Sequence, residues 1–394
     1  MVSYHGGTRR KHIVATSLVR GAEPMRLRTG TLVVAALVIM LVLAGCESGV
    51  NLFTLGGRDF TRTAAEGVLT IDNIAQMRDQ TRWLVSLGPV VATVYSPAEP
   101  HIATLGEDRI VRIWDANTGR LLDELFEHEN LGFGLTYSPD GRYLLSAGGA
   151  VGQDTRVWDL RSKQQVMTTS TDGYYIFDVA WAPDGDGFAI VSNGSSRIYL
   201  YETRTYDRLQ RRPSGIPLTA VAYSEKYLAV TNSIGSTYIY SYKEPELYAL
   251  LREMRYDINV DRAVEDDVPG RDLEFSPGDE LLANCYQDGV VEIWRTSDWE
   301  KVSTFKAHEF VKNRVLGCRD GAFTFGGDVY LTVGDDRFLR AWNPLTGEKI
   351  AEWEFPISVR TVAVSTGGDQ IAVGTADGTL FIMGLPETPT SANR

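Results

Sequence analysis

The sequence has few of the residues that build most catalytic and metal-binding sites. It contains three cysteines and five histidines in 394 residues. None of the three histidines after residue 45 has a metal-ligand spacing such as His-x-x-x-His. The sequence also has no Gly-x-Ser-x-Gly elbow, no phosphate-binding loop and no dinucleotide fingerprint. We therefore expect no cofactor, no metal ion and no enzymatic centre built on one of these motifs.

The cysteines are too few for a scaffold stapled by several disulfides. Cys46 lies near the start of the sequence, far from the other two cysteines. Cys285 and Cys318 each fall within an apolar strand pattern, where a buried free thiol is the commoner outcome. A single bridge between them is the alternative.

Positive charge is also scarce. The whole chain has 39 Lys and Arg against 51 Asp and Glu. The first 45 residues hold six of the basic residues and one of the acidic ones, so the segment from Cys46 onwards has 33 and 50, a net charge of −17. Such a surface repels phosphate backbones, and we expect no nucleic-acid partner.

No apolar run is long enough to span a bilayer. The longest, residues 31–43, includes about fifteen apolar or small residues with its flanks, whereas a spanning helix needs roughly 20. Two arginines precede it and small residues follow, which is the order of a secretory signal. Residues 43–46, Leu-Ala-Gly-Cys, resemble the lipobox of bacterial lipoproteins. The resemblance implies that Cys46 carries a diacylglyceryl group and becomes the first mature residue.

This resemblance predicts a protein outside the cytoplasm, held to a bacterial membrane by the two acyl chains on Cys46. It leaves open whether that membrane is the inner or the outer one. The polar, basic stretch before Met25 is not needed by an export signal. We therefore expect translation to start at Met25.

A unit of about 45 residues repeats seven times after residue 88. Each unit has an alternating strand that ends in Ser-Pro or a related pair, a turn with Gly or Asp, a second apolar strand, and a third strand. The third strands end in Trp114, Trp158, Tyr201, Tyr240, Trp294, Trp342 and Met383. This period is typical of the four-stranded blades of a β-propeller.

These units resemble the WD40 repeat family from about residue 77 to residue 384. The Trp-Asp ending is literal at residues 114–115 and 158–159. In that family an Asp six residues before the Trp joins a hydrogen-bond network with a Ser or Thr of the second strand and a His before the first. The resemblance assigns to this structural network Thr104, Asp108, Trp114, His128, Ser146, Trp158, Asp288, Trp294, His308, Thr332, Asp336, Trp342 and Asp377. The third and fourth units lack both the Trp and the Asp.

The seventh unit stops after its third strand. Because both faces of a blade must be buried against neighbouring blades, the ring has to close. We expect residues 77–87 to supply the missing strand. The predicted fold is therefore an all-β, seven-bladed, WD40-like propeller. Its predicted divisions are a leader and signal peptide (1–45), a lipidated tether (46–76), the propeller (77–385) and a disordered tail (386–394).

Two inserts depart from the repeat. Residues 244–270 are rich in Asp and Glu, whereas the segment around residues 306–319 carries Lys306, Lys312, Arg314 and Arg319. We expect the first to be a solvated acidic loop, with calcium or a basic partner as alternatives. Their opposite charges make the two inserts candidates for a partner surface or for contact with each other.

The favoured function is a binding module: a monomeric, lipid-tethered propeller whose loops and channel mouth hold a protein or peptide at the membrane. One alternative is a metal-dependent hydrolase or lactonase with its site in the central channel. The first strands, which line a propeller's axis, offer mainly Thr, Ala, Val and Tyr, which disfavours that alternative. A role in assembly, as in outer-membrane propeller lipoproteins, shares only the anchor-plus-propeller plan.

Overall fold

The structure is a computed structural model. It describes residues 68–125, 128, 131–148, 155–169, 176–192, 196–211, 215–242, 250–255, 268–309 and 317–386. These residues all belong to one of the two compact units of the chain, Phe53–Arg394. The predicted signal peptide, the lipidation site Cys46, most of the tether and residues 387–394 of the predicted tail lie outside them.

Strands make up nearly all the regular structure in these ranges. A short 3-10 turn, Ile74–Gln76, precedes them. The strands are β1 (Arg78–Leu84), β2 (Val90–Tyr95), β3 (His101–Gly106), β4 (Val111–Asp115), β5 (Leu121–Leu125), β6 (Gly132–Tyr137), β7 (Tyr143–Gly148), β8 (Thr155–Asp159), β9 (Gln164–Thr169), β10 (Ile176–Trp181), β11 (Gly187–Ser192), β12 (Ile198–Glu202), β13 (Arg208–Arg211), β14 (Leu218–Tyr223), β15 (Tyr227–Asn232), β16 (Ser236–Ser241), β17 (Leu250–Arg255), β18 (Gly270–Phe275), β19 (Leu281–Tyr286), β20 (Val290–Arg295), β21 (Glu300–Lys306), β22 (Cys318–Phe323), β23 (Tyr330–Gly334), β24 (Phe338–Trp342), β25 (Lys349–Glu354), β26 (Val359–Val364), β27 (Gln370–Thr375) and β28 (Thr379–Gly384).

The strands form seven antiparallel sheets of four, which confirms the predicted seven-bladed, all-β propeller. Blade 1 contains β2–β5, and each following blade contains the next four strands, up to β22–β25 in blade 6. Blade 7 contains β26, β27, β28 and β1. The first strands of neighbouring blades contact one another around the whole ring, including β26 with β2. No helix in the described ranges has the length and apolarity that a bilayer crossing requires.

Tight turns join the strands of a blade, and the turn of blade 2 shows why the sequence favours them. The Ser138 hydroxyl donates to the Asp140 carboxylate at 2.6 Å, and that carboxylate accepts the N–H of Arg142 at 3.0 Å. Gly141 has φ +68°, a conformation that costs glycine little and other residues more. The Ser-Pro-Asp-Gly pattern therefore reverses the chain between β6 and β7.

The core lies between blades rather than within one. Between blades 4 and 5, for example, Ala229 and Ile239 pack in one cluster with Leu273, Phe275 and Leu282. Each sheet thus buries its two faces against its neighbours, as a propeller requires.

The N-terminal strand closes the ring, as the sequence predicted. Strand β1 pairs antiparallel with β28, from Arg78 opposite Gly384 to Leu84 opposite Thr379. Trp83 lies opposite Leu380 and packs with it and with Trp114 of blade 1. The closing strand therefore contributes apolar packing as well as ladder hydrogen bonds.

The expectation of two free thiols is wrong. Cys285 of β19 and Cys318 of β22 form a disulfide, with their Cα atoms 5.9 Å apart. Both residues are buried, as the apolar strand patterns indicated. The bridge forms because β22, the innermost strand of blade 6, packs against β19 of blade 5. Such proximity depends on how blades stack, which strand patterns alone do not reveal.

Trp83→Ala tests the closure. Trp83 is 6% exposed, and truncating a buried Trp leaves a cavity that costs about 3–5 kcal/mol. We expect urea unfolding to show a loss of that size. Leu87→Ala, in the same segment but 82% exposed, is the control and should change stability by less than about 0.5 kcal/mol. Equal effects of the two variants would contradict a packed closing strand.

Candidate functional site

The predicted Trp network is present as hydrogen bonds inside blades 1, 2 and 6. The Trp114 indole donates to the Thr104 hydroxyl at 2.9 Å, and Trp342 donates to Thr332 at 2.9 Å. The Trp158 indole donates to Ser146 at 3.0 Å. These bonds join the third strand of each blade to its second and satisfy buried donors, which is a structural role.

Of the two predicted histidines, His128 joins the Trp158 network through Ser146, whereas His308 bonds Asp336 and its buried Nε2 has no hydrogen-bond partner among the described residues. His128 Nε2 lies 2.9 Å from Ser146 Oγ, and His308 Nδ1 lies 2.9 Å from Asp336 Oδ1. Burial lowers the pKa of His308. Burial raises the pKa of Asp336, but hydrogen bonds and charge from His308 and Arg340 outweigh this and hold it at about 2. Neither histidine lines the central channel.

Of the remaining predicted network residues, Trp294 packs against the apolar cluster between blades 4 and 5, and three aspartates accept local hydrogen bonds. Asp108 accepts a hydrogen bond from Arg112 at 2.7 Å, and Asp377 accepts one from the Thr375 hydroxyl at 2.7 Å. Asp288 accepts the N–H of Val290 at 3.1 Å. In blade 5, Asn284 stands ten residues before Trp294, where blades 1 and 6 have Thr. Its amide donates to Thr237 of blade 4 at 2.8 Å and to the Tyr286 hydroxyl at 2.9 Å.

The two inserts lie largely outside the described residues. The expectation of a loop is wrong for residues 250–255 of the acidic insert, which form β17, the fourth strand of blade 4. In that strand Glu253 pairs with Arg255 at 3.1 Å. Lys306 donates to the Asp288 carbonyl oxygen at 2.6 Å. Arg319 of the basic insert lines the channel. The basic insert therefore contributes to the site that follows.

A β-bulge recurs at one position in every blade. The register between the first and second strands shifts by one residue in all seven sheets. A bulged residue is left out of the ladder, and bulges commonly redirect a side chain. The bulged residues, in blade order, are Val91, Phe133, Phe177, Thr219, Arg271, Arg319 and Arg360.

These seven residues line one end of the central channel, which we call the channel mouth. Pro89, Val90, Glu107, Leu131 and Gly132 complete its lining. The cavity there has a volume of about 220 Å³, and the channel, which shares six of the seven bulged residues, has about 640 Å³. Such a concave surface at the axis is where a propeller can hold a ligand.

The channel mouth is chemically asymmetric. Apart from Glu107 of blade 1, blades 1 to 3 give it an apolar side, where the rings of Phe133 and Phe177 lie with centroids 5.9 Å apart. Leu131 on the same side is 43% exposed. Blades 5 to 7 give it a cationic side, built from Arg271, Arg319 and Arg360.

The three guanidinium groups have two carboxylates near them, Asp335 in contact and Glu107, whose negative charge acts on Arg360. Arg319 pairs with Asp335 at 2.6 Å, and Arg360 reaches the same carboxylate at 3.5 Å. Arg271 donates instead to the neutral amide oxygen of Gln287 at 2.8 Å. Burial, followed by the positive charge of Arg319, lowers the pKa of both Arg271 and Arg360. The cationic side therefore has a surplus of positive charge.

The expectation that the first strands line the axis mainly with Thr, Ala, Val and Tyr is wrong for blades 3, 5 and 6. Four carboxyl groups line the channel: Asp178, Asp272, Glu274 and Asp320. The sequence signal was an acidic residue inside an otherwise apolar first strand. The missing information was the bulge, which decides the side of the sheet to which each residue points.

Three of these carboxyl groups hold neighbouring blades together. Asp178 accepts the N–H of Val221 in blade 4 at 2.9 Å, and Asp320 accepts that of Val362 in blade 7 at 2.8 Å. Glu274 accepts the N–H of Phe323 in blade 6 at 2.8 Å. These carboxylates accept hydrogen bonds from backbone N–H groups of the innermost strands, which would otherwise be buried without a partner.

Burial raises the pKa of all four. The pKa of Asp178 rises to about 7 and that of Asp320 to about 6. Those of Asp272 and Glu274 rise well above their ordinary values, with neighbouring negative charge as a further cause. In the described part of the chain, no group of three or more His, Cys, Asp or Glu side chains is arranged to hold a metal ion.

These shifts predict a protein that is more stable in mild acid. Between pH 8 and pH 5 the folded state takes up protons at Asp178 and Asp320, whereas unfolded carboxyl groups have a pKa near 3.8. Each of the two groups should therefore raise the free energy of unfolding by up to about 1.4 kcal/mol per pH unit as the pH falls. The lowered pKa of His308 acts in the opposite direction, but it is one group against two, so the net change should still be a rise. Unfolding curves at several pH values measure this slope.

Asp178→Asn should flatten the slope, because the variant has no proton to take up at that position. The exposed Asp186→Asn serves as the control and should keep it. A wild-type stability that is constant or falls from pH 8 to pH 5 would contradict the raised pKa values.

Comparison with known proteins agrees with this architecture. The WD40 family, described as "WD domain, G-beta repeat", matches residues 85–115, which include β2 to β4 of blade 1. The chain is similar to the WD repeat-containing protein WDS homolog of Arabidopsis thaliana, at 22% identity over 65% of this chain and 47% of that protein. It is also similar to the Periodic tryptophan protein 2 homolog of Dictyostelium discoideum, at 28% identity over 57% of this chain and 23% of that protein.

A third relative is the Nuclear distribution protein nudF of Aspergillus terreus, at 33% identity over 23% of this chain and 20% of that protein. The matches thus span less than half the length of these curated relatives. The structure is a seven-bladed β-propeller, and its first blade carries a WD40 repeat.

Proposed function

We propose that this protein is an exported, lipid-anchored propeller that binds a protein partner at a bacterial membrane surface. The observation that carries the binding role is the channel mouth, where an aromatic pair faces three arginines with one shared carboxylate in contact. Because the bulges leave these residues out of the ladder, blade pairing does not require their side chains. Propellers and other repeat folds commonly use such surfaces for binding.

Two features support the exported location. Residues 43–46 have the lipobox pattern, and two acyl chains at about 0.8 kcal/mol per buried CH₂ give a stable anchor. The Cys285–Cys318 bridge links neighbouring blades. Disulfides persist in oxidising compartments outside the cytoplasm and are rare within it.

A channel hydrolase is the less favoured function. Its site would need free carboxylates that converge on a metal or a water molecule. Asp178, Glu274 and Asp320 instead accept backbone N–H groups of adjacent blades. Their geometry favours a structural role.

Cys46→Ser tests the anchor. Wild-type protein expressed in a bacterium should sediment with membranes and be released by detergent, whereas the variant should appear in the aqueous fraction. Ser48→Ala, two residues away, is the matched control and should stay with the membranes. Equal sedimentation of wild type and Cys46→Ser would contradict a lipid anchor at this residue.

The oxidation state of the disulfide tests export. In protein from intact cells that is denatured in the presence of an alkylating reagent at lysis, Cys285 and Cys318 should resist alkylation until a reductant is added; denaturation is needed because both residues are buried. Reduction should then lower the free energy of unfolding by about 3–4 kcal/mol, from the entropy of a 33-residue loop. The Cys285→Ala/Cys318→Ala variant should show no effect of reductant. Alkylation of Cys285 and Cys318 before any reductant is added would contradict an oxidising location.

A further inference from the structure

We propose that the channel mouth recognises a short segment of the partner protein in which one or two acidic side chains adjoin a large apolar one. The carboxylates would lie on Arg271, Arg319 and Arg360, and the apolar side chain on Phe133 and Phe177. This inference rests on the proposed function and assigns it a ligand class.

The cationic side fits carboxylates. The three guanidinium groups come from the same bulged position in three successive blades. Each presents a planar fork of donors that matches a carboxylate in a bidentate arrangement. Arg271 has a neutral partner in Gln287, and Arg360 has a buried Nε without a hydrogen-bond acceptor among the described residues. A ligand carboxylate would supply the charge and acceptors that the mouth lacks.

The apolar side fits a large hydrophobic side chain. Phe133 and Phe177 lie across the mouth from the arginines, with Val91 and Leu131 beside them. Partly buried phenylalanine rings next to arginines match the enrichment of aromatic residues and Arg in protein interfaces. A ligand with charge alone would leave this half of the mouth in contact with water.

The channel interior limits how deep an anion can go. Asp178, Asp272, Glu274 and Asp320 line the channel, but none of them lines the mouth. A carboxylate that moved past the arginines would meet these acids, so the anion is held at the mouth. A protein segment can present one acidic group at this level while the rest of the segment lies outside.

Overall charge favours a segment with few acids over a polyanion. The chain has a net charge of −17 from residue 46 onwards, which repels nucleic acids and anionic headgroups. The local surplus of arginine charge can attract one or two carboxylates without bringing a polyanion near the acidic surface. This argument selects a peptide segment from among anionic ligands.

The first test is selection from a random heptapeptide phage library on the full-length lipidated protein in detergent. Peptides that bind wild type should be enriched in Asp or Glu next to Phe, Trp, Leu or Ile. The Arg271→Gln/Arg360→Gln variant should lose this enrichment, and Phe133→Ala/Phe177→Ala should keep the acids but lose the apolar neighbour. Arg319 is retained because it makes the shorter ion pair with Asp335, at 2.6 Å, and keeps that carboxylate paired in the double variant.

The second test measures the affinity of the consensus peptide. Its Kd should weaken about tenfold or more with each of Arg271→Gln and Arg360→Gln, since a hydrogen bond to a charged group is lost. It should also weaken as NaCl is raised. Arg204→Gln removes an arginine that is 79% exposed on blade 3 and should leave the Kd unchanged. Unchanged melting temperatures establish that the variants fold.

Different experimental results would contradict this inference and the proposed function. If crosslinking in intact cells yields one partner equally with wild type and with Arg271→Gln/Arg360→Gln, the ligand class is wrong and partner binding stands. Enrichment of neutral or basic peptides on wild type would also overturn the ligand class. If neither cells nor library gives a specific ligand, both proposals are wrong.

Discussion

The whole structure depends on closing the ring, because no blade can bury both faces of its sheet alone. Closure is achieved by pairing β1 with β28, so residues near the start and end of the described chain share blade 7. Trp83 adds apolar packing toward Trp114 of blade 1. The disulfide between Cys285 and Cys318 reinforces a second junction, between blades 5 and 6. With the ring fixed, the seven first strands meet around one channel.

The bulge in each first strand positions both the residues that stabilise the ring and the residues that form the proposed binding site. The bulged residue points into the channel mouth, and the next residue on the strand faces the channel and its neighbouring blade. In blades 3 and 6 that next residue is Asp178 or Asp320, which accepts a backbone N–H from the following blade. The bulged residue itself differs from blade to blade: it is Phe in blades 2 and 3 and Arg in blades 5 to 7. A rigid scaffold thus carries a variable site.

The sequence was sufficient for the fold because each blade repeats the same signals. The period, the terminal Trp and the Ser-Pro-Asp-Gly turns predicted seven blades. The spacing of Thr104 and Trp114 predicted a shared hydrogen-bond network, and the structure has a hydrogen bond between their side chains. The Cys285–Cys318 bridge was only the alternative to two free thiols, because it depends on blade stacking. The channel acids were missed because they depend on a one-residue bulge, which reverses the direction of each side chain. The lipid anchor at Cys46 stays a prediction.

The most direct test of the central claim is photocrosslinking in intact cells, with a photoreactive amino acid placed at either of two exposed leucines. Leu131 lies at the channel mouth, and Leu345 lies in the turn between β24 and β25, at the other end of its blade. The account predicts a discrete protein adduct from position 131 and none from position 345. Adducts from position 345 alone, or equally from both, would contradict a partner site at the mouth.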